Sequence, residues 1–440
     1  MKLLFLFISN IVIITNLFTQ SNSDKIKKLV EADYPYLEKL YLHLHQNPEL
    51  SFYEINTAKR MADELRTLGF EVTEKIGGNG IVGVLKNGAG PTIMVRTDMD
   101  ALPILEETGL AYASKVKTKD ELGAEVSVMH ACGHDTHMTS WVGAARNLSK
   151  MKSDWKGTLV FVGQPAEERN GGAKAMLDAG LFQKFGKPNY VLALHAAPNV
   201  PAGKIGVKSE YSFAFTDFMD ITVYGQGGHG AYPHNTIDPV VLASKIIMTL
   251  QTIVSREISP LEPAVVTVGS IHGGTKGNII PNEVKMELTM RCFNDEVRND
   301  IIEKIKRICT GEAMAAGLSE DKYPKMTLKN EYCPSVYNEP QLTARLKTVF
   351  QNTIGKDNVM DVPPTMAGED FSYFGRTAEK IPTCIFWLGA VEPKLLEAAQ
   401  KGEVPMPGLH TSTFAPVPEP TLKTGSIAMT AAILELLQKK

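Results

Sequence analysis

Cysteine is scarce in this chain. There are five in 440 residues, an odd number at wide spacings, which excludes a disulfide scaffold. An excess of either charge is also missing. Lys+Arg 46 against Asp+Glu 49 leaves a formal −3, and no block of one sign stands out, so the electrostatic footprint of sequence-independent nucleic-acid binding is absent. Small molecules and short peptides are the default ligands. Beyond the first residues no stretch approaches the ~18 uninterrupted apolar residues of a membrane span. No short-period repeat or low-complexity tract is visible. With hydrophobic residues at 43% and charged residues at 22%, the chain is globular and long enough for two or three domains.

The amino terminus carries Lys2, an apolar run from Leu3 to Phe18 broken by Ser9, Asn10 and Asn16, and the small residues Ser21 and Ser23. This is the pattern of a signal peptide over residues 1–23 and of an exported protein, periplasmic or secreted, with no membrane association after cleavage; the alternative is an uncleaved anchor. Apolar runs bounded by Gly, Pro or Asp at 80–85, 92–97, 157–163, 190–195 and 383–389 read as strands. Helix-periodic segments such as 56–68 and 136–151 lie between them. That alternation predicts an α/β layer architecture whose chemistry sits at one sheet edge.

The middle of the chain reads differently. A strand at 218–224, a helix opened by Asp238-Pro239 and running towards Glu257, strands at 265–271 and 284–290, a helix from Asp295 to Ala316 and a strand at 325–329 give the order β-α-β-β-α-β of a ferredoxin-like unit. Residues 214–329 are therefore expected to form a second domain inserted between residues 24–213 and 330–440.

Several polar segments carry chemistry. In Met129-His130-Ala131-Cys132-Gly133-His134-Asp135-Thr136-His137 a thiolate and imidazoles favour a transition metal. Gly133 lets Cys132 and His134 turn to one point, and Asp135 can cap the following helix. The alternative is a buried cysteine with surface histidines. In Gln164-Pro165-Ala166-Glu167-Glu168 a proline ends an apolar strand, so two carboxylates can converge, one as metal ligand and one as general base; the alternative is a solvated acidic turn. His195 closes an apolar strand, where sheet chemistry is usually found, the alternative being a satisfied core histidine, and His410 lies in a Pro/Gly-rich loop. Asp98 and Asp100 follow another strand and suit the orientation of a metal-bound imidazole. His229, between Gly228 and Gly230 in the inserted segment, could stabilise an oxyanion if that domain closes, or simply be an exposed turn histidine.

Taken in order, His43–Glu49, Arg96–Pro103, Met129–Asp135, Pro165–Glu168, His195–Pro198, Gly227–His234, Gly277–Pro281 and His410 resemble the motifs of the metal-dependent aminoacylase and carboxypeptidase superfamily. The resemblance is to its amidohydrolase branch, that of N-acyl-amino-acid amidohydrolases, hippurate hydrolases and indole-acetyl-amino-acid hydrolases, and it covers nearly all of the chain after the signal segment. It implies a catalytic α/β domain with a mixed central sheet, and an inserted ferredoxin-like α+β lid that makes a homodimer. It also implies two divalent metal ions, Mn²⁺, Zn²⁺, Ni²⁺ or Co²⁺ with Mn²⁺ favoured. By the same resemblance Cys132, His134, Glu168, His195 and His410 are the ligands and Glu167 the general base. His229 and Asn278 contact the substrate carboxylate or the developing oxyanion, and Arg291 joins them. The expected reaction is hydrolysis of the amide bond of an N-acyl amino acid or a related conjugate. The rivals are an exported metallo-dipeptidase or carboxypeptidase with the same centre, acting on short peptides, and a non-catalytic metal- or peptide-binding module.

Overall fold

The computed structural model describes residues 2–330 and 332–438, with side chains from Asn22 onward. The expected signal segment, residues 1–23, lies almost wholly outside the described side chains. Among the described residues no helix is long and apolar enough to cross a membrane.

The chain forms two compact units. One comprises Met1–Glu210, Tyr337–Pro363 and Tyr373–Lys440; the other comprises Tyr211–Val336 and Pro364–Ser372. The inserted segment read from sequence as 214–329 is thus a unit a few residues wider at each end, to which a short later segment is added.

The first unit is built on an eight-stranded mixed sheet in the spatial order Glu71–Ile76, Gly80–Asn87, Gly157–Gln164, Thr92–Asp98, Tyr190–Pro201, Thr383–Val391, Ile205–Val207, Val359–Asp361. Its four central strands run parallel, and Asp98 pairs with Gln164 at one end while Trp387 pairs with His195. Strands covered on both faces should read as continuous apolar runs, and Thr383–Val391 is buried at every position. The loops that leave the carboxyl ends of these parallel strands carry the polar clusters.

Helices Lys2–Gln46, His134–Lys150, Pro340–Ile354 and Pro418–Leu437 pack on one another and on the sheet. Each of the last two starts with proline at its first position, where the missing N–H costs nothing. Helix His134–Lys150 is locked to the sheet by Trp141, whose ring nitrogen donates to Val95 O at 3.0 Å. It crosses Pro418–Leu437 so closely that glycine is required on both sides. A Cβ on Gly143 would stand 2.2 Å from Ser426 Oγ, and one on Gly425 2.3 Å from Ser140 Oγ.

The second unit has a four-stranded antiparallel sheet in the order Ala264–Gly273, Glu283–Cys292, Phe215–Tyr224, Lys325–Leu328. Helices Pro239–Thr252 and Asp295–Ala315 pack against it and each other. This is the ferredoxin-like order. Alternate residues of Phe215–Tyr224 and Glu283–Cys292 are buried, as expected for a sheet covered on one face. Asp238 caps its helix by accepting from Val240 and Val241. The second long helix is capped by Asn294, whose side chain accepts from Val297 N, and Asp295 falls in the first turn.

The glycine crossing gives a test. Gly143→Ala and Gly425→Ala each overpack a buried contact and should destabilise by about 1–3 kcal/mol. Gly311→Ala has no neighbouring atom within 4 Å of the new Cβ and should stabilise its helix by about 0.4–1 kcal/mol. Thermal midpoints that fall for the first two and rise for the third are the expected result.

Candidate metal centre

Helix His134–Lys150 begins at Gly133, which has φ +80° and is the residue before the first helical turn. Glycine adopts that backbone without a Cβ penalty, so Cys132 and His134 emerge from the same tight corner. The expected cap, Asp135, sits one position inside the first turn. Its carboxylate accepts from Thr136 N at 2.8 Å and from His45 Nδ1 at 2.7 Å. The next cluster follows strand Gly157–Gln164 as a single 3₁₀ turn, Glu167–Arg169, flanked by Ala166 at φ 50° and Asn170 at φ 52°. His410, at φ 58°, is tied back by its own N–H to Ala131 O at 2.9 Å.

These segments bring five side chains to one place. Cys132 Sγ lies 3.6 Å from His195 Nε2 and 3.3 Å from His410 Nε2. Glu168 lies 3.4 Å from His410 Nε2 and 3.7 Å from His134 Nε2. The ring tautomers follow from the partners on the other nitrogens. His134 Nδ1 donates to Asp100 O at 2.7 Å and His195 Nδ1 donates to Ala196 O at 2.8 Å, so both Nε2 lone pairs face inward. His137 is the contrary case. Its Nε2 accepts from Ala196 N at 2.7 Å and its Nδ1 donates to Asp98 at 2.7 Å, which leaves no nitrogen for a metal.

Two buried atoms of this ring, His134 Nε2 and Glu168 Oε1, have no hydrogen-bond partner. Orphaned buried polar atoms are rare and call for a ligand. The separations of 3.3–3.7 Å match those of two donors sharing one cation at bond lengths of about 2.0–2.3 Å. Cys132, His134 and His195 can share a point, as can Cys132, Glu168 and His410, and His134, Glu167 and Glu168. The donors therefore fit a transition-metal centre.

The electrostatics agree. Burial would lower the His134 pKa, yet the carboxylates of Asp98, Asp100 and Glu168 outweigh it and lift the ring to about 10. Burial and neighbouring Asp100 and Asp98 charges push Glu168 up to about 8, although His134 opposes them. Cys132 is held well above the ordinary thiol range by burial and by Glu168 and Glu167. Each shift is what a site short of positive charge produces. Asp98 is the exception: burial would raise it, but His134, His137 and Arg96 hold it well below the carboxylate range.

Asp98 and Asp100 divide their tasks. Asp98 pairs with Arg96 at 2.7 Å as well as with His137. Asp100 orients the His134 ring through its backbone carbonyl, while its carboxylate accepts from Ser51 Oγ, Glu167 N and Glu168 N at 2.7, 3.1 and 3.0 Å. In the second unit His229 pairs with Ile279 across a two-residue ladder, and Gly230 N donates to Asn278 O at 2.9 Å, so His229 and Asn278 are neighbours. Arg291 lies on strand Glu283–Cys292 of the same unit, where its guanidinium donates to Thr216 Oγ1, Thr289 Oγ1 and Met366 O at 2.7, 3.2 and 3.3 Å.

Sequence reasoning missed His137, His45 and Glu54. His45 bridges Asp135 and Glu106; burial lowers its pKa but those two carboxylates carry it to about 10. The visible signal was the spacing of His137 from His134 on one helix, and the His43–Glu49 motif around His45.

The profile of Peptidase family M20/M25/M40 matches residues 94–402. Hippurate hydrolase of Campylobacter jejuni is 40% identical over 339 residues, 77% of this chain and 84% of that protein. Thermostable carboxypeptidase 2 of Saccharolobus solfataricus is 34% identical over 415 residues, 92% of this chain and 96% of that protein. The crystal structure of the Bacillus subtilis YXEP protein, a dinuclear metal binding peptidase, has a TM-score of 0.74 at 29% identity and covers 92% of this chain and 99% of that one.

Replacing one donor should be read out in metal content before activity. Cys132→Ala should weaken divalent-cation binding by at least about 100-fold, beyond what loss of a supporting partner costs. Dialysis against graded chelator followed by metal analysis measures it, and wild-type retention would remove Cys132 from the ligand set.

Proposed function

The chain belongs to Peptidase family M20/M25/M40 and to its amidohydrolases, and from that premise we propose that it is a binuclear-metal enzyme cleaving the amide bond of N-acyl amino acids or related conjugates. The observation that carries this reading is the donor ring around the unpartnered His134 Nε2 and Glu168 Oε1, with Glu167 beside it at 3.9 Å from the same His134 atom. Cys132, His134, Glu168, His195 and His410 would hold two divalent cations. When bound, they would lower the pKa of a water towards ~7 and polarise the substrate carbonyl.

The chain's own residues do the rest. Glu167, buried among the ligands, takes the proton of the attacking water at its carboxylate and returns it to the departing nitrogen, without which an amide does not release its amine. His229 and Asn278 hydrogen-bond the substrate carboxylate or the oxygen that gains charge. The second unit serves as the lid and, through it, the protein forms a homodimer. Export by the amino-terminal segment completes the proposal, and sequencing the mature amino terminus checks it.

Glu167→Gln should keep its metal and lose about 10²–10⁴ in turnover, the share of a general base; a near-wild-type rate in that variant would refute the assignment. The substrate class is tested by presenting benzoylglycine and other N-acyl amino acids beside unblocked dipeptides, each with and without chelator. Chelator-sensitive cleavage of the acylated series, restored by Mn²⁺ or Zn²⁺, is expected. Cleavage confined to unblocked peptides would instead favour the carboxypeptidase reading that the similarity to the Saccharolobus solfataricus enzyme supports.

A further inference from the structure

The Glu167–Glu168 turn is held by its backbone. Pro165 offers no N–H. The next three N–H groups each point at a buried carboxylate: Ala166 N donates to Glu54 Oε1 at 2.7 Å, Glu167 N to Asp100 Oδ1 at 3.1 Å and Glu168 N to Asp100 Oδ2 at 3.0 Å. Glu54 is fully buried and lies 112 residues from Ala166 in sequence. The same Oε1 accepts from Phe52 N at 2.9 Å, and Oε2 faces Asn79 Nδ2 at 3.3 Å. Phe52 and Ala166 are both in the left-handed region, at φ 68° and φ 50°. One carboxylate oxygen therefore bridges two corners of unfavourable backbone, one just before helix Ile55–Thr67 and the other just before the acidic pair.

We infer that Glu54 is a positioning residue for the reaction: by accepting the Ala166 N–H it sets the corner from which Glu167 and Glu168 converge, and so fixes the angle between the general base and the ligand carboxylate. This rests on the roles proposed above for those two residues. Glu54 reaches the acidic pair through the backbone N–H of Ala166. Burial and the Asp100 charge lift its pKa to about 7. Helix capping does not explain it, because its side chain makes no cap hydrogen bond to helix Ile55–Thr67.

The test uses full-length protein with bound cobalt, which reports ligand geometry by its visible absorption independently of turnover. Glu54→Ala should alter that spectrum and lower kcat by about 10–100-fold, the usual cost of losing an outer partner, with KM for benzoylglycine changed less than kcat. Glu54→Gln keeps an oxygen for both N–H groups and should recover the wild-type spectrum and most of the lost kcat. If Glu54→Ala does not fold by circular dichroism, Glu54→Asp, whose carboxylate is drawn back by one methylene, takes its place with the same expectation. A truncated variant with wild-type kcat and spectrum overturns the inference, as does Glu54→Gln impaired to the same degree as Glu54→Ala. Glu167→Gln is measured in parallel. If it is active, the role of the acidic pair fails; if it is inactive while the Glu54 variants are normal, only the positioning role fails.

Discussion

The interaction on which the structure depends is between buried negative charge and the positive charge needed to balance it. Asp98, Asp100, Glu167 and the Glu168 side chain are all largely withdrawn from water around a single imidazole, His134. Interior carboxylates in such number are tolerated only when cations or N–H donors compensate them. Asp98 is compensated within the protein by Arg96 and His137, and Asp100 by backbone N–H groups and Ser51. For Glu168 the His134 ring does not outweigh burial, and around the Cys132 thiol burial and the two glutamates act in the same direction, so both are pushed upward. A divalent ion removes that deficit directly, because it turns a costly thiol and carboxylate pair into ligands.

The fold delivers this charge distribution by an old geometrical rule: parallel strands end together, so the loops that leave them meet. Asp98 and Gln164 are register partners at the last position of adjacent strands, and His195 projects from the next strand over. The remaining donors come from the start of helix His134–Lys150 and from the loop before helix Pro418–Leu437, the two helices that cross at Gly143 and Gly425. That crossing packs together the two helices from whose amino-terminal sides these donors come. His410 is bound to the same corner by its own N–H on Ala131.

Strands and ligand candidates were legible in the sequence because they are local. An apolar run bounded by turn residues marks a strand wherever it lies, and Cys132-Gly133-His134 declares its own convergence. What could not be read depends on contacts distant along the chain. Nothing near Glu54 reveals that its acceptor oxygen meets Ala166. The tautomer of His137 follows from Ala196 N, 59 residues later. Gly143 looks like a weak point in a helix until Ser426 is placed opposite.

Local strain supplies the last step. On a regular strand Glu167 and Glu168 would point to opposite faces; to converge, the chain must leave β geometry at once, and it does so through left-handed residues on either side, Ala166 and Asn170. A non-glycine residue in that region costs about 1–2 kcal/mol. Hydrogen bonds to a charged acceptor return about 1.5–3 kcal/mol each, and three of them hold Ala166, Glu167 and Glu168 to Glu54 and Asp100. The anchoring offsets the strain, and the turn can keep the two side chains close together without relaxing into a flexible loop. Adjacent carboxylates with different tasks are possible here because the backbone, not the side chains, carries the constraint.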